Sequence, residues 1–452
     1  MTLEIRLTSP PPGPRLRYVL DVLCEWYGWS WRSRPAGGAP GAAPSATPSV
    51  ALFYGRGAAV AAGDAPADPP STTTVVRPHG LLEAPPGATA ATLDWADYHG
   101  AACPTGLDPL AGIFFCLSLL PEYDPAVVDA HGRPPAHTHP LAARGLAGVP
   151  VADRLAAALA RQLWRASGRL GTPAMRPEAA AATSDVDAPR ALYPKPLARR
   201  LAGIARAGLG AARARHGGGQ WSAAAVSSWL RGSADPYDTF AYMHAEARAR
   251  GLREDIFSLI GYGTRLDPGF PAGHPAWVDF WRGLPPATRL GIHPSYQTSE
   301  RPALIAAEVE ALRRGSGREI VSSRQHFLRL RLPTTYRTLI ECGIREDHTL
   351  MWPDRAGFRA GSARSFPWYD LRREEATSLR LVPPHAMDVT ARYYGGLSPK
   401  LAVAQWTTLA RECAASGTAL RCIWHNSNLG PWHGWWPWRK AFEASLDLSA
   451  IP

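Results

Sequence analysis

From residue 179 onward the chain repeats one rhythm: a short apolar run, a polar side chain that ends it, then a helical stretch. The runs are "AAAATSDVD", "DIFSLIGYG", "TRLGIHPSY", "REIVSSRQH", "DHTLMW", "SLRLVPPHAMD" and "ALRCIWHNS". Between them stand "TFAYMHAEARARG", "RPALIAAEVEALRRG", "PTTYRTLIECG" and "SPKLAVAQWTTLARECAASG". These carry Asp, Pro or Ser near their starts and Gly near their ends, as helices prefer. Short apolar runs alternating with helices predict βα units and parallel strands. Parallel strands need helical crossovers, so their carboxyl ends all emerge on one side.

The residues at those ends are chemically loaded. The first run ends in Asp185 and Asp187, "LGIHPSY" carries His293, and "IVSSRQH" ends in His326. Arg359 follows the next strand in "AGFRAG", "VPPHAMD" ends in Asp388, and "CIWHNS" carries His425. In a parallel βα barrel such ends converge on one mouth, where the active site sits. Strand alternation puts Asp185 and Asp187 on the same face, able to share one site. Each residue alone has a structural explanation. "SDVD" suits an Asx turn, a buried His is more often hydrogen-bonded than ligating, and "SRQHF" could cap a helix. Arg359 could pair with Asp354 or Asp370. Their repetition at equivalent strand ends favours a site.

Histidine and aspartate ligands without cysteine suit a divalent transition metal such as zinc. A second carboxylate near the metal can take a proton from water, and a distant histidine can protonate a leaving group. Together these are the parts of metal-assisted hydrolysis of an amide or ester.

"TSDVD", "GIHPSY", "GFRAG" and "IWHN" resemble, in order, the motifs of the polysaccharide deacetylase family (carbohydrate esterase family 4, the NodB-homology fold). The resemblance covers about residues 180–430 and is similar to a divergent bacterial branch in which "THDVD", "SRQH" and "GFRAGT" occur together behind an extra N-terminal domain. It implies a distorted (β/α) barrel that uses a divalent metal to remove N- or O-acetyl groups from sugars. Carried over by residue, Asp185 resembles the catalytic base and Asp187 the metal-binding aspartate. His293 resembles the first metal histidine, Arg359 the arginine that holds the base, and His425 the general acid, with Asp388 orienting it. Two positions depart from the pattern. Gln297 stands where the second histidine of H-x-x-x-H is expected, which makes His326 the natural substitute in a set of Asp187, His293 and His326. Ser184 stands where the branch carries histidine. Loss of full coordination would leave a non-catalytic carbohydrate-binding barrel with a role in polysaccharide biosynthesis. Retention of a base, a metal ligand and an acid together favours the enzyme.

Ahead of the barrel, residues 1–171 read as a smaller α/β accessory domain, 172–182 as a linker and 183–452 as the barrel. "LRYVLDVLCEWYGW" (16–29) and "VADRLAAALARQLWRASGRLG" (151–171) predict amphipathic helices, and the Asp-Pro of "DPLAGIFFCLSLL" predicts a helix start. The Pro/Gly/Ala/Ser segments 35–49 and 62–74 read as loops. The apolar run 110–120 is too short to span a bilayer, so no membrane insertion is expected. The beginning of the chain lacks the apolar core of a signal peptide, and a cytoplasmic location is expected. The six cysteines show no C-x-x-C spacing. The net charge of +11 is almost all arginine, spread along helices as in "LARRLAGIARAGLGAARARHG". That spread reads as solvated helix faces and not as a nucleic-acid surface. The expected partner is a carbohydrate substrate. The tryptophans of "WHNSNLGPWHGWWPWRK" either stack on sugar rings or pack the last helix.

Overall fold

The computed structural model describes residues 4–8, 12–34, 49–54, 73–76, 82, 108–123, 125, 127–192, 197–213, 223–232, 234–262, 264–267 and 269–450. Two sheets organise them. The smaller holds β1 (Glu4–Thr8), β2 (Ser30–Arg34), β3 (Ser49–Tyr54) and β4 (Thr73–Val76) in the order β2-β1-β3-β4, all parallel.

The larger sheet carries the site. It holds β5 (Ala181–Val186), β6 (Arg253–Leu259), β7 (Arg289–His293), β8 (Ser322–Ser323), β9 (Glu346–Asp347), β10 (Phe366–Asp370), β11 (Glu375–Leu381), β12 (Ala386–Met387) and β13 (Cys422–His425). Their order is β10-β11-β9-β8-β7-β6-β5-β13-β12. Every pairing is parallel except the hairpin of β10 with β11. The chain is therefore a mixed α/β protein built on a large parallel sheet. The apolar runs read as strands contain β5, β7, β8, β12 and β13 and overlap β6 and β11, whereas "DHTLMW" shares only Asp347 with β9. All six residues of β5 are buried, as a strand covered on both faces should be.

Local chemistry explains the helix that joins the two halves. Asp108 caps helix Pro109–Leu117 by accepting from the amides of Leu110 and Ala111 at 3.0 Å, and Pro109 follows at the first helical position. All nine helix residues are buried. Helices Pro14–Tyr27 and Val151–Ala166 pack with it, and all three share one hydrophobic core with the large sheet. Polar contacts tie the same halves: Arg15 binds Glu374, the Tyr18 hydroxyl donates to the Pro367 carbonyl, and Ser362 donates to Asp153.

The expected linker 172–182 is anchored along its length. The Arg176 amide donates to the Trp26 carbonyl, Glu178 pairs with Arg421, and Ala181 and Ala182 already belong to β5. Of the expected loops, 35–48 and 62–72 lie outside the described residues, while Ser49, Thr73 and Thr74 open strands β3 and β4. Among the described residues no helix is long and apolar enough to cross a membrane.

Candidate metal centre and active site

Neighbouring parallel strands bring the charged ends together. His425 of β13 is the register partner of Asp185 of β5, and His293 ends β7 two strands away. His326 lies three residues beyond β8, at the start of a single 3-10 turn. Directly after it, Phe327 and Leu328 take left-handed backbone angles (φ 59° and 56°), a sharp bend that costs non-glycine residues about 1–3 kcal/mol each. Asp185, Asp187, His293, His326 and His425 all line one cavity of about 210 Å3.

Three ligand-type atoms converge in it. The Oδ1 of Asp187 lies 3.5 Å from Nε2 of His293 and 3.7 Å from Nε2 of His326. All three atoms fall within 4.8 Å of one another. Ligand atoms about 2.0–2.1 Å from one tetrahedral ion stand roughly 3.4 Å apart, so the set fits a divalent metal. Asp187 Oδ1 and His293 Nε2 are buried without any hydrogen-bond partner. Such orphaned atoms are costly unless a further group satisfies them.

Both imidazoles are held from behind. His293 Nδ1 donates to the Arg324 carbonyl at 2.5 Å, and His326 Nδ1 bonds the Asp267 carboxylate at 3.0 Å. Those bonds fix the tautomers that turn each Nε2 lone pair toward Asp187. Burial outweighs the nearby carboxylates and pushes His293 down to about 4, so its ring is neutral, as a ligand must be. Asp267 is itself held by the Tyr296 amide and the Thr264 hydroxyl. Asp267→Asn should therefore weaken metal affinity by about 10- to 100-fold while the fold persists, measured by competition with a chromogenic chelator.

Asp185 is 2 % exposed. Burial raises its pKa, but the charges around it, Arg324 foremost, outweigh burial and leave it lowered, so it stays ionised. Arg324 donates to Asp185 Oδ1 at 2.6 Å, to the Thr183 hydroxyl at 3.0 Å and to the His348 carbonyl at 3.0 Å. Its guanidinium lies 4.3 Å from the Phe257 ring centre. Gly291 makes room for that ring: a Cβ there would sit 2.6 Å from it.

Arg359 does not hold the place that the sequence resemblance gives it, beside the catalytic base. Arg359 does not reach Asp185. Its fork binds the buried Glu122 of the N-terminal region, with Nε–Oε1 at 2.8 Å and Nη2–Oε2 at 2.5 Å, and Nη1 donates to the Met351 carbonyl. The loop that carries it is pinned away from the mouth by a hydrogen bond from the Phe358 amide to the Ala147 carbonyl. Neither Asp354 nor Asp370 is its ion-pair partner, and Asp370 binds Arg337 instead.

His425 and Asp388 are together. His425 Nδ1 bonds Asp388 Oδ1 at 2.9 Å, and the His425 amide and the Asn428 side chain donate to Oδ2. Burial opposes the charged ring, but Asp388 outweighs it, with Asp187 and Asp185 adding, and the pKa is pushed up to about 10. The imidazolium keeps its Nε2 proton for the cavity. Because His425 and Asp185 stand on adjacent strands, they flank the cavity as neighbours and do not face each other across it.

Gln297 lines a different hollow with Ser295 and Glu308, outside the convergence of ligand atoms. The N-terminal region supplies one wall of the site through Arg133, which binds Asp129, the Phe327 carbonyl and the Tyr394 hydroxyl. Of the C-terminal tryptophans, Trp432, Trp435 and Trp438 are buried, which is the packing role, and Trp436 is half-buried against Arg439.

No protein-family model and no curated protein matches the chain. Among solved structures it is similar to a Mycobacterium smegmatis protein whose assignment as a polysaccharide deacetylase is itself provisional. That match has 17% identity and a TM-score of 0.35, over 60% of this chain and 87% of the other. A likeness of that degree says nothing about this chain's chemistry.

Proposed function

We propose that the chain is a metal-dependent hydrolase that removes an N- or O-linked acetyl group from a sugar or glycan, on a (β/α) barrel of the NodB-homology type. The observation that carries this reading is the pair of buried, partnerless atoms on Asp187 and His293, joined by His326 and flanked by an ionised Asp185 and a charged His425. Asp187, His293 and His326 would hold a divalent ion, with zinc the best fit to two imidazoles and one carboxylate. When bound, such an ion supplies a Lewis acid for the acyl carbonyl and lowers the pKa of water to about 7.

The remaining work falls to the chain. Asp185, kept charged by Arg324, accepts the proton of the attacking water. His425, kept protonated by Asp388, donates to the departing amine or alkoxide. Opposite protonation states in one cavity allow acid and base to act in a single cycle. The alternative of a non-catalytic carbohydrate-binding barrel rested on Gln297, and His326 offers the third ligand atom in its place.

His425→Ala should lower kcat on an acetylated oligosaccharide by about 10²- to 10⁴-fold and leave the metal content unchanged. Acetate release and elemental analysis of the same preparation check it. Loss of the metal would make His425 a ligand, and full activity would remove it from the mechanism.

A further inference from the structure

Beside the candidate metal centre a second hollow of about 510 Å3 opens, and it shares Asp187 and Ser427 with the first cavity. One wall is helix Leu197–Arg213, which presents Arg199, Ala202, Gly203 and Arg206 to it. That spacing is i, i+3, i+4, i+7, a single helix face. The middle of the face carries nothing larger than a methyl group, and a guanidinium stands at each end. The helix comes close at Gly203, where a Cβ would lie 3.3 Å from Leu192 and 3.9 Å from Trp432. Arg190 lines the hollow as well; it pairs with Asp238 at 2.8 Å and stays 33% exposed.

The charge of this hollow is one-sided. Among the described residues its lining has three arginines and one acid, Asp187, which is the residue committed to the metal set. Arg199 and Arg206 are exposed and have no ion-pair partner among the described residues. The cations spread over the chain at large are here gathered around one space that opens onto the reacting centre.

We infer that this hollow binds an anionic group of the substrate, so that the acetylated saccharide bears a carboxylate or a phosphate on a neighbouring unit. The inference rests on the hydrolase reading above. Arginine forks match both anions, through two parallel N–H···O bonds. A bound divalent ion would offset the charge of Asp187, the one carboxylate among the described lining residues. The same arginines would disfavour a glycan carrying free amines, by like-charge contact.

The test compares wild type with an Arg199→Ala/Arg206→Ala double variant, both positions being exposed on one helix. Zinc-loaded protein is assayed for acetate release from acetylated oligosaccharides that are neutral, uronate-containing or phosphorylated, at low and high salt. Calorimetry with the acetyl-free anionic oligosaccharides gives a second readout that needs no turnover. Wild type should favour one anionic series over the neutral one by about tenfold in kcat/KM, through KM, and the preference should shrink with salt. The double variant should bring the anionic-to-neutral ratio toward one and weaken binding of that oligosaccharide by about tenfold. The uronate and phosphate arms show which anion is read. Equal rates on all three series, or a preference and affinity that survive the double variant, would overturn the inference and leave the hydrolase reading standing. If no series releases acetate the hydrolase reading fails, and calorimetry still decides whether the hollow takes the anion.

Discussion

Asp187→Ala protein should purify folded, hold no stoichiometric divalent ion and release acetate at least about 10³-fold more slowly than wild type, as expected when the electrophile is lost. Oδ1 of Asp187 is the atom that both histidine Nε2 atoms approach, so its removal leaves two ligands that nothing else in the set can complete. The metal-free fold has little reason to suffer, because the substitution deletes a buried oxygen that has no partner. Thermal unfolding with and without added zinc separates the effects. Wild type should gain stability with ligand concentration, whereas the variant should not respond. Asp185→Asn is the matching control. It should keep the ion and lose the rate, because Asp185 lies 3.9 Å from His293 Nε2 and is engaged by Arg324.

Arg359→Met should cost about 3–5 kcal/mol of stability, the usual penalty for stranding one member of a buried pair. Arg359 and Glu122 are both buried, and His139 Nε2 lies 3.9 Å from the Glu122 Oε1 that accepts from Arg359 Nε. The urea midpoint reads the loss directly. Arg359→Met/Glu122→Leu should recover most of it, since replacing both partners with apolar groups removes the stranded charge. The pair also makes stability depend on pH. Burial raises the pKa of Glu122, but Arg359 more than compensates and leaves it lowered. A lowered folded value means that the contribution is present above the unfolded carboxylate pKa and is lost as pH falls through the folded one. The stability loss in Arg359→Met should therefore narrow in acid. A normal urea midpoint with collapsed activity would return Arg359 to the site that the sequence resemblance assigned it.

These two residues mark what could be read in advance. The strands that carry the site were legible because their apolar runs end in Asp or His, and β5, β7 and β13 hold Asp185, His293 and His425 at those ends. The β10–β11 hairpin leaves no such signal in the sequence. Its first strand, "FPWYD", contains a proline and runs straight into a charged turn, so its pattern is not that of a buried parallel strand. "GFRAG" stands out in the sequence, but a single sequence does not say which buried carboxylate an arginine meets, and Glu122 lies 237 residues away in the chain. Arg324 was within reach. It stands two positions before His326 in "SSRQH", and extended-chain alternation places such residues on one side. Asp267 left a fainter trace, since "TRLDPG" reads only as a turn, and its bond to His326 depends on long-range packing.

In the proposed function a divalent ion on Asp187, His293 and His326 drives acetyl hydrolysis. Acetate release from an acetylated oligosaccharide panel decides this, using full-length protein stripped with chelator and then reloaded with one equivalent of zinc. Stripped protein should show no release above background, reloading should restore release, and the rate should saturate at one ion per chain. Equal release by stripped and reloaded protein, or zinc that binds at one equivalent without any release across the panel, would overturn the metal-dependent mechanism.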